Sequence, residues 1–160
     1  MNDQHSIDDT RLIQLLHAYL DARYRWQSRA DWHDVIIVLP TPGLDLRYPE
    51  ATSYGLVSAW NPMSVPQAPT KNRRADKALD ADLAASGRPY IPAFASASDR
   101  SWREPSWIVF GMPAEAFDVL SRRYGQLGTL WWPRETAVRL RMNARRPTGL
   151  AGDKDVDWIR

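Results

Sequence analysis

Seven side chains in this sequence are of the types that recognise or transform a polar molecule: Trp60, Asn61, Asn72, Arg73, Trp102, Glu104 and Gln126. Asn61, Asn72 and Gln126 each offer both a donor and an acceptor, the equipment for reading a polar ligand's edge. Arg73, or its neighbour Arg74, suits an anion held by two parallel hydrogen bonds. Glu104 is the one carboxylate of the set, a general acid or base where burial raises its pKa. Trp60 and Trp102 supply flat stacking faces. Lys71-Asn72-Arg73-Arg74 opens a predicted helix, whose free N–H groups and partial positive charge favour a phosphate or carboxylate.

Other chemistries lack their residues. The chain has no Cys, so no disulfide, thiolate nucleophile or Cys-ligated zinc is available. The three histidines, His5, His17 and His33, lack the spacing of a zinc helix. Asp31-x-His33-Asp34 reads as the start of a strand rather than a metal site, and no metal or cofactor is expected. Ser106 has no neighbouring His to activate it. No Gly-rich phosphate loop, nucleophile elbow or paired-carboxylate spacing is present.

The chain's 160 residues and ordinary apolar content suit a single domain over 1–160. The polar start, Met1 to Ser6, has no apolar leader, and no apolar run approaches a membrane span, so a cytoplasmic address without membrane attachment is expected. The net charge of +2 is too small to argue for nucleic acid. Its distribution is uneven: residues 1–60 hold 5 basic and 8 acidic side chains, and residues 61–160 hold 16 and 11. That asymmetry points to an anionic partner for the second part, although an Arg-rich composition has the same effect.

The elements that must position these residues follow from periodicity. Asp8 or Asp9 caps a helix running to about Trp26, with Leu12, Leu15, Leu16, Tyr19 and Leu20 as its apolar stripe. Val35 to Leu39 reads as a buried strand ended by Pro40, and residues 40–53 as loop. Tyr54 to Trp60 is a strand stopped at Asn61-Pro62. A helix runs from Pro69 or Thr70 to about Ser86, with Ala75, Ala78, Leu79 and Leu83 inward and Gly87 as its stop. Strands follow over 88–95 and 107–110, separated by a polar loop. Pro113 opens a helix carrying Ala116, Phe117 and Leu120 inward until Gly125. Strands over 127–132 and 136–142 close the pattern, and residues 143–160 are expected as a mobile tail whose Trp158 and Ile159 can dock.

From residue 54 to 132 the order is β-α-β-β-α-β, which predicts an α+β fold with a ferredoxin-like split βαβ core. The N-terminal helix and strand and a C-terminal strand are additions to it. Alternating direction then brings separated segments to one edge. Trp60 and Asn61 end a strand there, Asn72 and Arg73 begin a helix, Trp102 and Glu104 lie in a loop, and Gln126 precedes a strand. That edge is the expected site.

Ala59-Trp60-Asn61-Pro62, Asn72-Arg73, Trp102-x-Glu104-x-Ser106 and Tyr124-Gly125-Gln126 together resemble the signature of a small, mainly bacterial family known as domain of unknown function 3293. The likeness covers about residues 54–132. It implies kinship and a shared polar edge, and supplies no reaction. Phe94-Ala95-Ser96-Ala97-Ser98 departs from the pattern, in which a Gly is expected before Trp-x-Glu.

Each candidate has a structural counterpart. Asn61-Pro62 serves equally as a strand stop, Asn72 as a helix cap, and Arg73 with Glu104 as an ion pair. Gln126 can bond the Trp60–Asn61 backbone, and Trp60, Trp102 and Trp107 can be core. Arg139, Arg141, Arg145 and Arg146 can be a solvated face. The leading expectation is binding of a small polar or anionic ligand at the edge. The alternatives are a small enzyme, with Glu104 as acid/base and Arg73 as electrostatic stabiliser, and a nucleic-acid-binding module using exposed aromatics and the basic strand.

Overall fold

A computed structural model describes residues 7–150 and 155–159. Asp8 accepts a hydrogen bond from the Arg11 backbone N–H at 2.7 Å and so starts α1 (Asp9–Asp21), burying Leu12, Leu15 and Leu16. The helix ends before Trp26, where the sequence pattern had carried it. From Ala22 the backbone is extended, and Tyr24, Trp26 and Ser28 point inward alternately along β1 (Arg23–Ser28). A tight turn at Arg29-Ala30, with Arg29 at φ 51°, leads into β2 (Asp31–Val35). Hairpin turns of this kind are usually signalled by Asn or Gly, and here neither is present.

The apolar run Val35 to Leu39, expected as a buried strand, is a correction. Only Val35 is both in a strand and buried, and Ile36, Val38 and Leu39 are about half exposed. Ile37 makes an isolated parallel bridge to Val138. The expected loop that follows holds the short helix α2 (Pro42–Arg47).

The remaining elements are β3 (Ser53–Val57), α3 (Pro69–Ala85), β4 (Tyr90–Ser96), β5 (Arg103–Phe110), α4 (Ala114–Arg123), β6 (Gly128–Pro133), β7 (Arg139–Met142) and β8 (Val156–Trp158). The fold is therefore α+β. Its sheet has eight strands in the order β2-β1-β4-β5-β3-β6-β7-β8, larger than the four-stranded core expected. Every pairing is antiparallel except β7 with β8. The stretch expected as a mobile tail contributes β8, which brings Trp158 alongside Met142 in the sheet. Among the described residues no helix is long and apolar enough to cross a membrane.

Strand alternation sends side chains into two cores, one on each face of the sheet. Tyr54, Leu56, Ile108, Phe110, Leu130 and Trp132 pack with the α1 leucines. Val57 and Val109 pack with Leu79 and Leu83 of α3 and Phe117 and Leu120 of α4. Ala78 and Ala116, expected inward, are exposed. Gly55 is required by the approach of α4, because a Cβ there would stand 2.5 Å from the Phe117 ring.

Candidate functional site

At the end of β3 the chain turns sharply, and Asn61, Met63 and Ser64 all take positive φ (48°, 56° and 60°). Such a conformation costs roughly 1–2 kcal/mol for a side-chain-bearing residue, so the surroundings must impose it. Asn72 does much of this from the first turns of α3. Its Oδ1 accepts the Asn61 backbone N–H at 2.9 Å, and its Nδ2 donates to Asn61 Oδ1 at 2.8 Å. The same Asn61 Oδ1 accepts the Gln67 N–H at 3.0 Å. From the other side, Gln126 Nε2 donates to the carbonyls of Trp60 and Tyr124, both at 3.1 Å. The Met63 N–H reaches the Gly125 carbonyl at 2.7 Å.

Asn61 then uses its remaining group on Glu104. Its Nδ2 donates to Glu104 Oε1 at 3.0 Å. Glu104 is the second residue of β5 rather than a loop residue, a correction that also fixes its direction. Cross-strand pairing with Ala95, which itself faces Tyr24, aims the carboxyl at the α1 side of the sheet. Burial there raises the Glu104 pKa above its usual range, and the Asn61 bond opposes this in part. The Asn61 bond is the one side-chain hydrogen bond Glu104 has with the described residues.

The α1 side also brings two residues that sequence reasoning missed. Tyr19 Oη and Ser64 Oγ lie 2.8 Å apart, joining α1 to the strained turn. Burial first, and the nearby Glu104 charge as a smaller cause, push the Tyr19 phenol up to about 12, so it stays protonated. Gly128 admits the Tyr19 ring, since a Cβ there would come within 2.8 Å of it. Tyr24 donates to the Tyr19 carbonyl at 2.6 Å. By its spacing Tyr19 belongs to the apolar stripe of α1, and nothing there marks it for a polar role 45 residues from Ser64.

The structure thus brings Trp60, Asn61, Asn72, Glu104 and Gln126 into one connected rim. The amides are occupied within the protein: Asn72 and Gln126 are buried and hold the turn. Gln126 does so through the Trp60 carbonyl, as its structural counterpart anticipated, whereas Asn72 does not cap α3, whose N-cap is Ala68. Trp60 Nε1 is buried without a hydrogen-bond partner among the described residues. Trp102 is half-buried against the α1-side core. Arg73 shares the first turn of α3 but is exposed, and it makes no ion pair with Glu104 among the described residues. The expected Arg73–Glu104 pair is replaced by Asn61–Glu104, because Glu104 points to the opposite face of the sheet from α3. Across the loop that lacks the expected Gly, Arg100 takes the positive φ (61°).

Other candidates fall elsewhere. Asp31 and His33 lie on one face of β2 and Asp34 on the other, where it pairs with Arg25. Among the described residues no group of three or more His, Asp and Glu could hold a metal. Arg141 forms a two-pronged pair with Asp118 and Arg139 one with Asp157, so the basic strand is engaged internally. A surface cleft of about 440 Å³, lined in part by Trp26, His33 and Pro42, lies apart from the rim.

A family model described as Protein of unknown function (DUF3293) matches residues 57–128. No curated protein and no solved structure matches the chain. The matched segment contains the whole Asn61–Asn72–Glu104–Gln126 network, while Tyr19 lies outside it.

Proposed function

From the geometry of residues 57–128, the segment that matches the DUF3293 family model, we propose that this chain binds a small, neutral polar ligand at the rim beside Glu104. The observation that carries this reading is the Glu104 carboxyl, pushed into the protein and given a single side-chain hydrogen bond, from Asn61. A carboxyl can accept several hydrogen bonds, and burying one with few partners costs stability that a donating ligand would offset. Hydroxyl or amide donors fit this requirement. An anionic ligand fits it less well, because the rim's centre is a carboxylate and the Arg73 guanidinium stands away from it. In this reading Asn61, Asn72 and Gln126 set the rim's shape, and Trp60 and Trp102 wall it.

The same reading takes β3-α3-β4-β5-α4-β6 as a ferredoxin-like split βαβ unit enlarged on both sides. The antiparallel neighbours β4-β5-β3-β6 support it.

Thermal denaturation of the full chain with polyols, amides and nucleosides tests the ligand. At a hundredfold excess over Kd, a ligand that binds only the native state adds about 2.7 kcal/mol. At least one compound is expected to raise the wild-type Tm and to lose that effect in Glu104→Ala. A panel without effect on the wild type, or a shift unchanged in Glu104→Ala, would overturn the assignment.

A second reading makes Glu104 the acid/base of a small enzyme. Burial raises the pKa of this carboxyl above its usual range, the direction that suits a group exchanging a proton with a substrate. Its mark is a bound compound that the wild type converts and Glu104→Gln merely binds.

A further inference from the structure

On the face of the sheet that carries α3 and α4, those helices pack over β3, β5 and their neighbours. Among the described residues, they leave the outer strands on that side uncovered. The register says which side chains stand there. Arg25 pairs across to Asp34 on one side and Phe94 on the other, and Arg23 lies in line with Ser96 and Arg103. Trp32 stands on the same face, opposite Gln27.

We propose that this uncovered face of β2-β1-β4 and the start of β5 binds single-stranded nucleic acid. Its aromatic and guanidinium groups are already packed against one another. The Trp32 and Phe94 rings meet edge to face with centroids 5.0 Å apart, and the Arg103 guanidinium sits 3.9 Å above the Phe94 ring. Trp32 is 37% exposed and Arg103 is exposed, so both side chains reach solvent. Bases stack on aromatic rings and on guanidinium planes alike, and they do so most readily when no duplex partner holds them.

Charge completes the match. The face carries Arg23, Arg25 and Arg103 against one acid, Asp34, which is paired with Arg25 at 3.2 Å. Neither Arg23 nor Arg103 forms an ion pair with a described residue. Cations on either side of a stacking row suit a phosphate backbone that tracks across it. Among the described residues this face presents strands and no helix that could enter a duplex groove. The site is separate from the Glu104 carboxyl, which the strand register turns to the other side of the sheet.

Fluorescence anisotropy of the full chain with labelled oligothymidylate and oligouridylate of about twelve nucleotides tests this. Binding is expected to weaken as salt rises, with a log–log slope of about 0.7 per phosphate neutralised. An Arg23→Gln, Arg103→Gln double variant is expected to bind more weakly and with a shallower slope. Trp32→Ala is expected to weaken binding about tenfold, and Trp32→Tyr, which keeps a ring, by much less. Wild-type binding that is absent at low salt would overturn the proposal. So would a double variant that binds as the wild type does, a duplex bound as tightly as the single strand, or polyglutamate competing as well as polyuridylate.

Discussion

Asn61 holds the chain in a left-handed turn and, with its last free donor, holds Glu104 at 3.0 Å. One small amide therefore couples a strained backbone to a buried carboxyl. The consequence is a definite sign of pH dependence. Burial keeps the folded-state pKa of Glu104 above the ordinary value of 4.5, so the native state holds its proton more tightly than the unfolded chain does. Stability from this group is then present at low pH and falls as pH rises from 4.5 through the folded value, levelling off above it. Glu104→Gln keeps an acceptor for Asn61 and removes the titration. Thermal melts across weakly acidic pH are expected to show a smaller fall in Tm with rising pH for the variant than for the wild type. Parallel profiles would mean that burial of this carboxyl does not govern the effect.

At the scale of elements, the contact between β3 and α4 depends on an absent side chain. Gly55 lies beneath Phe117, and a methyl group there would meet the ring at 2.5 Å. Gly55→Ala is expected to cost about 1–3 kcal/mol by overpacking, seen as a lower denaturation midpoint. Combined with Phe117→Leu the loss is expected to be less than additive, because the smaller side chain makes room for the methyl. Additive losses would place the strain elsewhere. The same scale explains what the periodicity of the chain misled. Tyr24 and Trp26 continue the apolar content of α1, yet they alternate with Arg23 and Arg25, and the change of period from 3.6 to 2 marks the strand. Ile36, Val38 and Leu39 look like core but run past the sheet's edge, with Val38 at φ 82°.

Across the whole molecule, the C-terminal strand is joined to the sheet by charge as well as by backbone pairing. Asp157 takes both prongs of Arg139 at 2.9 Å and stands 3.7 Å from Arg141, which in turn grips the buried Asp118 on α4. Asp157→Ala is expected to cost about 1 kcal/mol, since the group is partly exposed. Amide hydrogen exchange is expected to speed up along β8 while α3 keeps its protection. Exchange that rises equally everywhere would mean that the ion pairs support the fold globally rather than this strand.

Local residue chemistry was enough to specify much of this protein. The Asp8 cap, the Pro69 start and Gly87 stop of α3, the Gly125 stop after α4 and the α+β class all follow from short-range rules of capping, turn and periodicity. The gathering of Asn61, Asn72, Glu104 and Gln126 at one edge was also legible, because strand and helix directions reverse in a regular way. Only the tertiary structure decided which partner each side chain takes. Glu104 bonds Asn61 and not Arg73 because its position in β5 turns it away from α3, a matter of register that side-chain type does not encode. Tyr19 enters the rim, and β1, β2 and β8 enlarge the sheet beyond the strands the pattern gives, through contacts between segments far apart in sequence, which no local spacing announces.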